Sequence, residues 1–192
     1  MGAILQSLGR TVAAGVVLLV LLIVLVGNIQ FNMAWHAFFM RWLHVMCGVM
    51  WIGLLWYFNF VQIPSMPKIP DEQKPAVSKV IAPTALFWFR WAALATVVTG
   101  VFLASLNGYL VPALTMQKPF TAIGIGMWLA LIMAFNVWFI IWPNQKKALG
   151  IVTVEAAEKA KAARMAMLTS RFNTMLSIPM LYCMVAQQNG GL

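Results

Sequence analysis

Apolar residues run through this chain in long blocks, separated by short segments that hold most of its prolines, lysines and arginines. A run of about 20 apolar residues, rising about 1.5 Å each as a helix, matches the roughly 30 Å hydrocarbon core of a bilayer. Four blocks meet that length clearly, at 11–27, 40–61, 84–106 and 123–142, and a fifth at 172–187 is shorter and contains Pro179. The pattern predicts an all-α integral membrane protein, a bundle of about five transmembrane helices in a single membrane domain over 1–192. Arg10 ahead of the first block resembles the start of a signal peptide, but no small-x-small cleavage pattern follows, so the block is read as a helix.

The segments between the blocks carry further detail. QIPSMPKIPDEQKPAVSKVIAP, between the second and third blocks, holds prolines at 64, 67, 70, 75 and 83, a density expected to rule out a continuous helix. VEAAEKAKAARMAML, within about 153–168, is alanine-rich, with Glu155 and Glu158 ahead of Lys159 and Lys161. That charge order suits a helix dipole and predicts a short amphipathic helix leading into the last span.

Composition agrees: 62% of the 192 residues are hydrophobic and 9% charged, against roughly 45–50% and 25% for a soluble domain. The formal charge of +9 would point to nucleic acid in a soluble protein, but here the placement of the charges matters more. If five spans alternate, one side receives Arg10, Lys68, Lys74, Lys79, Lys146, Lys147, Lys159, Lys161, Arg164 and Arg171, and the other only Arg41 and Lys118. The positive-inside rule then predicts a cytoplasmic amino terminus, an outward carboxyl terminus, a lipid bilayer as the surroundings and no nucleic-acid partner. Cys47 and Cys183 both lie in apolar runs and are read as packing thiols.

His36 and His44 are the two histidines. Eight residues apart on one helix, they stand about 80° apart around it and about 12 Å along it, too far to hold one haem between them. His36 sits in the aromatic segment MAWHAFF and reads as an interfacial residue. His44 lies within a span, where an ionisable side chain is a functional hypothesis by default. Its helical neighbours suit a haem. Gly48 at i+4 leaves that face open, Trp51 at i+7 falls within about 20° of it, and Arg41 at i−3 is placed to pair with a propionate. With no other histidine in the spans, a haem would be five-coordinate, ligated by a methionine, or shared with another subunit. The alternative is a histidine hydrogen-bonded between helices.

Arg90 in FWFRW lies inside the third span and either snorkels to the surface or pairs with an anionic group such as a propionate or quinone oxygen. Asn59, Asn136 and Asn173 read as hydrogen-bonding links between helices. All four acidic residues fall in loops, which argues against a proton-coupled transporter.

The blocks RWLHVMCGVMWIGLLWYFNFVQIP, ALFWFRW, MWLALIMAFNVWFIIWPNQKK and SRFNTMLSIPMLYCMV occur in that order over about Met40 to Ala186. They resemble the membrane domain of the urate hydroxylase family, also called the urate oxidase amino-terminal domain. The histidine-to-tryptophan block is also similar to the haem-ligand helix of small bacterial protoporphyrinogen oxidases and, more loosely, to copper-resistance membrane proteins. The resemblance implies a cytochrome-like domain with haem b on His44, in the inner membrane of a bacterium with its carboxyl end periplasmic. In longer members that end joins a c-type cytochrome. This sequence contains no CxxCH, so the expected electron partner is a separate cytochrome c or oxidase subunit.

The chain departs from the family pattern where the last span opens RFN rather than RHN, with Phe172, and where it closes on Gln187, Gln188 and Asn189 in place of a histidine-containing pair. Histidine-dependent urate chemistry is therefore not carried over. Two functional classes remain: a haem-bearing redox module of an oxidoreductase, or a non-catalytic accessory subunit in a larger respiratory or other membrane complex, either of them open to homo- or hetero-oligomers.

Overall fold

The structure is a computed structural model, described for residues 2–27 and 29–191, and the described residues are helical with no strand. The chain divides into two compact units, Met1–Phe38 and Phe39–Leu192. In the first, a turn at Gly2–Leu5 precedes α1 (Leu8–Val26), whose leucines and valines are largely exposed, as suits a lipid-facing helix. Helix α2 (Met33–Trp56) leads into the second unit, where α3 (Ala82–Leu106), α4 (Leu110–Leu114), α5 (Thr121–Phe135), α6 (Trp142–Ala148) and α7 (Ala156–Asn189) follow. Gly108 and Gly190 close α3 and α7 with φ of +73° and +65°, the left-handed turn in which glycine has no steric penalty.

Four helical runs among the described residues are long and apolar enough to cross a membrane: Leu8–Val26, Met33–Lys68, Lys74–Leu106 and Thr121–Ala148. All four exceed the lengths expected from the apolar blocks, the last three most, because there helix continues into the segments between the blocks. The break expected across the five-proline segment is confined to residues 69–73. The reason is a repeated local device. Segments Tyr57–Gln62, Val77–Ile81 and Asn136–Ile141 are π-helical, and Pro64, Pro83 and Pro143 follow two residues behind them. The residue before each proline donates five residues back, Ile63 to Phe58, Ala82 to Val77 and Trp142 to Val137. Widening that turn reseats the carbonyls that the proline ring would crowd and that its missing N–H leaves free.

The expected amphipathic segment and fifth span form one helix, α7, of 34 residues. It is too polar to count among the four, yet it runs through the packing of the bundle. Ala162, Ala166, Ser170, Asn173, Ser177, Met180, Cys183 and Ala186 form a buried stripe of mostly small side chains along it. Small residues allow close approach: a Cβ on Gly126 of α5 would stand 3.1 Å from the Cβ of Cys183. Trp51, Leu55 and Phe58 meet Leu86, Phe89, Ala93, Met133, Val137, Ile141 and Met180 in one apolar core.

Polar side chains on the same stripe tie the helices together. Trp56 donates to Ser177 Oγ at 3.0 Å and Asn59 to Ser170 Oγ at 2.8 Å. Asn136 Nδ2 donates to Asn173 Oδ1 at 2.8 Å, and Asn173 Nδ2 to the Met133 carbonyl at 2.9 Å. The three asparagines thus link helices, as their positions near span ends led us to expect.

Candidate functional site

His44 projects from α2 onto α3, where the sequence ATVVTG places Thr96, Thr99 and Gly100 on one face, three and four residues apart. Its Nδ1 lies 2.9 Å from the Thr96 carbonyl and 3.3 Å from Thr99 Oγ1. A carbonyl can only accept, so in the neutral ring Nδ1 carries the hydrogen and Nε2 a lone pair. The Thr99 hydroxyl donates to the Ala95 carbonyl at 2.6 Å, which leaves its oxygen free to accept from His44. Nε2 makes no hydrogen bond to any described residue.

Gly100 makes this placement possible. A Cβ there would come within 2.8 Å of His44 Cε1 and 3.1 Å of Nδ1, so the imidazole occupies the space a side chain would fill. Gly48 is different, because an added Cβ would meet only Thr96 Cγ2, at 3.9 Å. Packing between the helices does not require glycine at 48.

The remaining residues singled out by sequence lie in separate settings. Arg41, half-buried, donates from Nη1 to Gln188 Oε1 at 3.2 Å, while its Nε is enclosed without a partner. The neighbouring Gln187 accepts from the Ile123 amide and donates to the Pro119 carbonyl, both at 3.1 Å. The glutamines at the departure from the family pattern therefore hold the end of α7 against α2 and α5. Near Arg41, Tyr109 stacks on Phe120 at 5.5 Å. Burial pushes its phenol above the ordinary value, and the Arg41 charge opposes this.

Trp51 shares a helix face with His44 but is fully enclosed in the apolar core, its Nε1 unpaired. Arg90 stands six residues before Thr96, about 9 Å along α3, with its guanidinium 3.4 Å from the centre of the Trp142 ring. His36 is exposed and held locally, its Nδ1 2.7 Å from the Asn32 carbonyl. The structure thus brings His44 together with Thr96, Thr99 and Gly100, three residues that sequence reading missed, and sets Arg90 apart. Their signal was a polar and glycine-containing face inside an otherwise apolar helix.

No group of three or more His, Cys, Asp or Glu side chains that could hold a metal ion occurs among the described residues. One free imidazole nitrogen cannot by itself hold a bare ion. It fits a metal whose remaining ligands arrive with a macrocycle.

Residues 115–190 match the family described as urate oxidase N-terminal. The match to urate oxidase N-terminal takes in α5, the π-helical turn before Pro143, α6 and nearly all of α7, and His44 lies outside it. No curated protein matches, and no solved structure does. Within the matched segment, Phe172 is 46% exposed whereas Asn173 beside it is fully buried. Position 172 therefore lies on an outward side of α7 in this chain.

Proposed function

We propose that this protein is a membrane-embedded redox module related to the urate oxidase N-terminal family, with haem b held by His44. The observation that carries the reading is the state of that imidazole: Nδ1 is engaged by Thr96 and Thr99, and Nε2 is left unpartnered. Metal-bound histidines characteristically donate their other nitrogen to a carbonyl or carboxylate, which fixes the tautomer and the ring plane.

When bound, haem supplies one-electron redox chemistry at its iron. The chain does the rest. His44 would hold the group through its free nitrogen, Gly100 gives its ring room, and Gly48 leaves the adjoining surface of α2 free of a side chain. Arg41 offers a charged donor one turn from the ligand, where its unpaired Nε suits a propionate. The electron partner in this proposal is a cytochrome c or a respiratory oxidase. The membrane is the bacterial inner membrane, with a cytoplasmic amino terminus and a periplasmic carboxyl terminus, as the basic loops favour. Hydroxylation of urate is not included, because Phe172 stands where the resemblance led us to expect a histidine, and Gln187, Gln188 and Asn189 where it led us to expect a histidine-containing pair.

A second reading, an accessory subunit without catalysis, is favoured by an apolar groove of about 400 Å³ lined by Leu94, Val97, Leu131, Phe135 and Phe139, which a partner's helix or a lipid would fill. A pyridine haemochrome assay on detergent-purified protein separates the two. About one b-type haem per chain supports the redox module, and folded protein without haem supports the accessory subunit.

A further inference from the structure

Arg90 is 9% exposed, and its surroundings do not satisfy it. None of its guanidinium N–H groups donates to a described residue, and Nη1 is completely enclosed. The one compensating interaction is the face of Trp142, 3.4 Å from the guanidinium carbon. Cation–π attraction offsets part of the cost of removing a guanidinium from water but fills none of its hydrogen-bonding positions.

The neighbourhood adds positive charge rather than cancelling it. Lys146 Nζ lies 5.7 Å from the centre of the same ring. Glu158 pairs with Lys147, the residue after Lys146, at 2.5 Å. Asp71 and Glu72 fall between two spans, and no acidic residue falls within any of the four. A further donor, Trp138 Nε1, is buried without a partner one turn before Trp142. Its ring meets Trp91, the residue after Arg90, at 5.5 Å. Two cations on one indole, with an idle indole N–H one turn earlier in the same helical run, call for an acceptor that carries negative charge and several oxygens.

We propose that Arg90, Trp142 and Lys146 bind a phosphate group. The site lies at the end of the run Thr121–Ala148 that carries Lys146 and Lys147, a level at which tryptophan and basic residues meet the headgroup layer. A phospholipid headgroup and inorganic phosphate share the chemistry required. The proposal is independent of haem, since neither its residues nor its readout involve His44.

The test uses the full chain purified in a maltoside detergent, which carries no phosphate. Its unfolding midpoint is followed while phosphatidylglycerol or, at matched ionic strength, inorganic phosphate is titrated in. The expected result is a saturable rise in the midpoint. The apparent affinity falls by about tenfold or more in Arg90→Gln and by a few-fold in Lys146→Gln, as the loss of charge-assisted bonds requires. A response to the lipid alone assigns the site to a headgroup, and a response to both assigns it to phosphate from either source. No saturable response, or equal responses in wild type and both variants, overturns the proposal. Should Arg90→Gln fail to fold, Lys146→Gln decides alone, and an unchanged response in that variant overturns it.

Discussion

Two ionisable side chains inside this bundle, His44 and Arg90, are accommodated in opposite ways. The Nδ1–H of His44 donates to α3, and its position is set by one backbone carbonyl, one hydroxyl and the absence of a side chain at Gly100. Arg90 keeps its charge and lies on an indole without a hydrogen bond. The first arrangement fixes a direction, because one nitrogen is held and the other points free. The second relieves charge without fixing a direction. A held imidazole suits a metal, and a guanidinium whose N–H groups are unfilled suits an anion with several acceptor oxygens.

The largest effect is expected from filling the space beneath the imidazole. Gly100→Ala would set a Cβ within 2.8 Å of His44 Cε1. We expect the haem-to-protein ratio to fall several-fold and stability to drop by about 1–3 kcal/mol, the usual range for overpacking a tight site. Thermal unfolding and a haemochrome assay on one sample check both. Unchanged haem content would mean that the ring position does not matter to binding.

Next in size is Asn173→Ala, which tests whether polar links are confined to the two ionisable sites. Asn173 bridges Asn136 and the Met133 carbonyl while fully buried. Its loss should cost about 1–3 kcal/mol, because Asn136 Nδ2 is stranded. The unfolding midpoint should fall while any haem spectrum keeps its shape.

Thr99→Val sharpens the account of His44 more gently. It removes the second acceptor, at 3.3 Å, and leaves the Thr96 carbonyl at 2.9 Å. Haem should be retained with a shifted reduction potential, since the ligand's basicity follows its outer hydrogen bonds. Redox titration of the b-type band checks this.

The smallest effect belongs to an exposed pair at the break between the second and third spans. Lys74, 2.5 Å away, holds the Asp71 carboxyl below its usual range by hydrogen bond and charge. A carboxyl depressed in the folded state contributes stability above its unfolded value, and that contribution disappears as pH falls through the depressed value. Asp71→Asn should lower the unfolding midpoint slightly at pH 7 and not at all in strong acid, by less than any change above. Equal shifts at both pH values would assign the effect to something other than this pair.

The apolar blocks made the membrane class and four of the spans legible, because a run of leucine and valine long enough to cross a bilayer has few other uses. They failed at the span ends. Prolines 64 and 83 read as helix breakers, and only the backbone shows the π-helical turns that absorb them and Pro143. The last helix was harder because its polar residues, Ser170, Asn173 and Ser177, face inward, so a hydropathy scan counts against it what packing uses. His44 stood out as the one histidine inside an apolar block, although the helical run Met33–Lys68 takes in His36 as well. Its supports did not, since Thr96, Thr99 and Gly100 lie more than fifty residues further on, and only the pairing of α2 with α3 brings them to it. Arg90 was visible as an anomaly in a span, while its stacking on Trp142, 52 residues away, was not.

The most direct test of His44 as the haem ligand is the variant His44→Gly, purified with and without added imidazole. With haem on His44, the Soret band is lost in the variant and returns when imidazole occupies the vacated space. A Soret band that persists in His44→Gly without imidazole would contradict it.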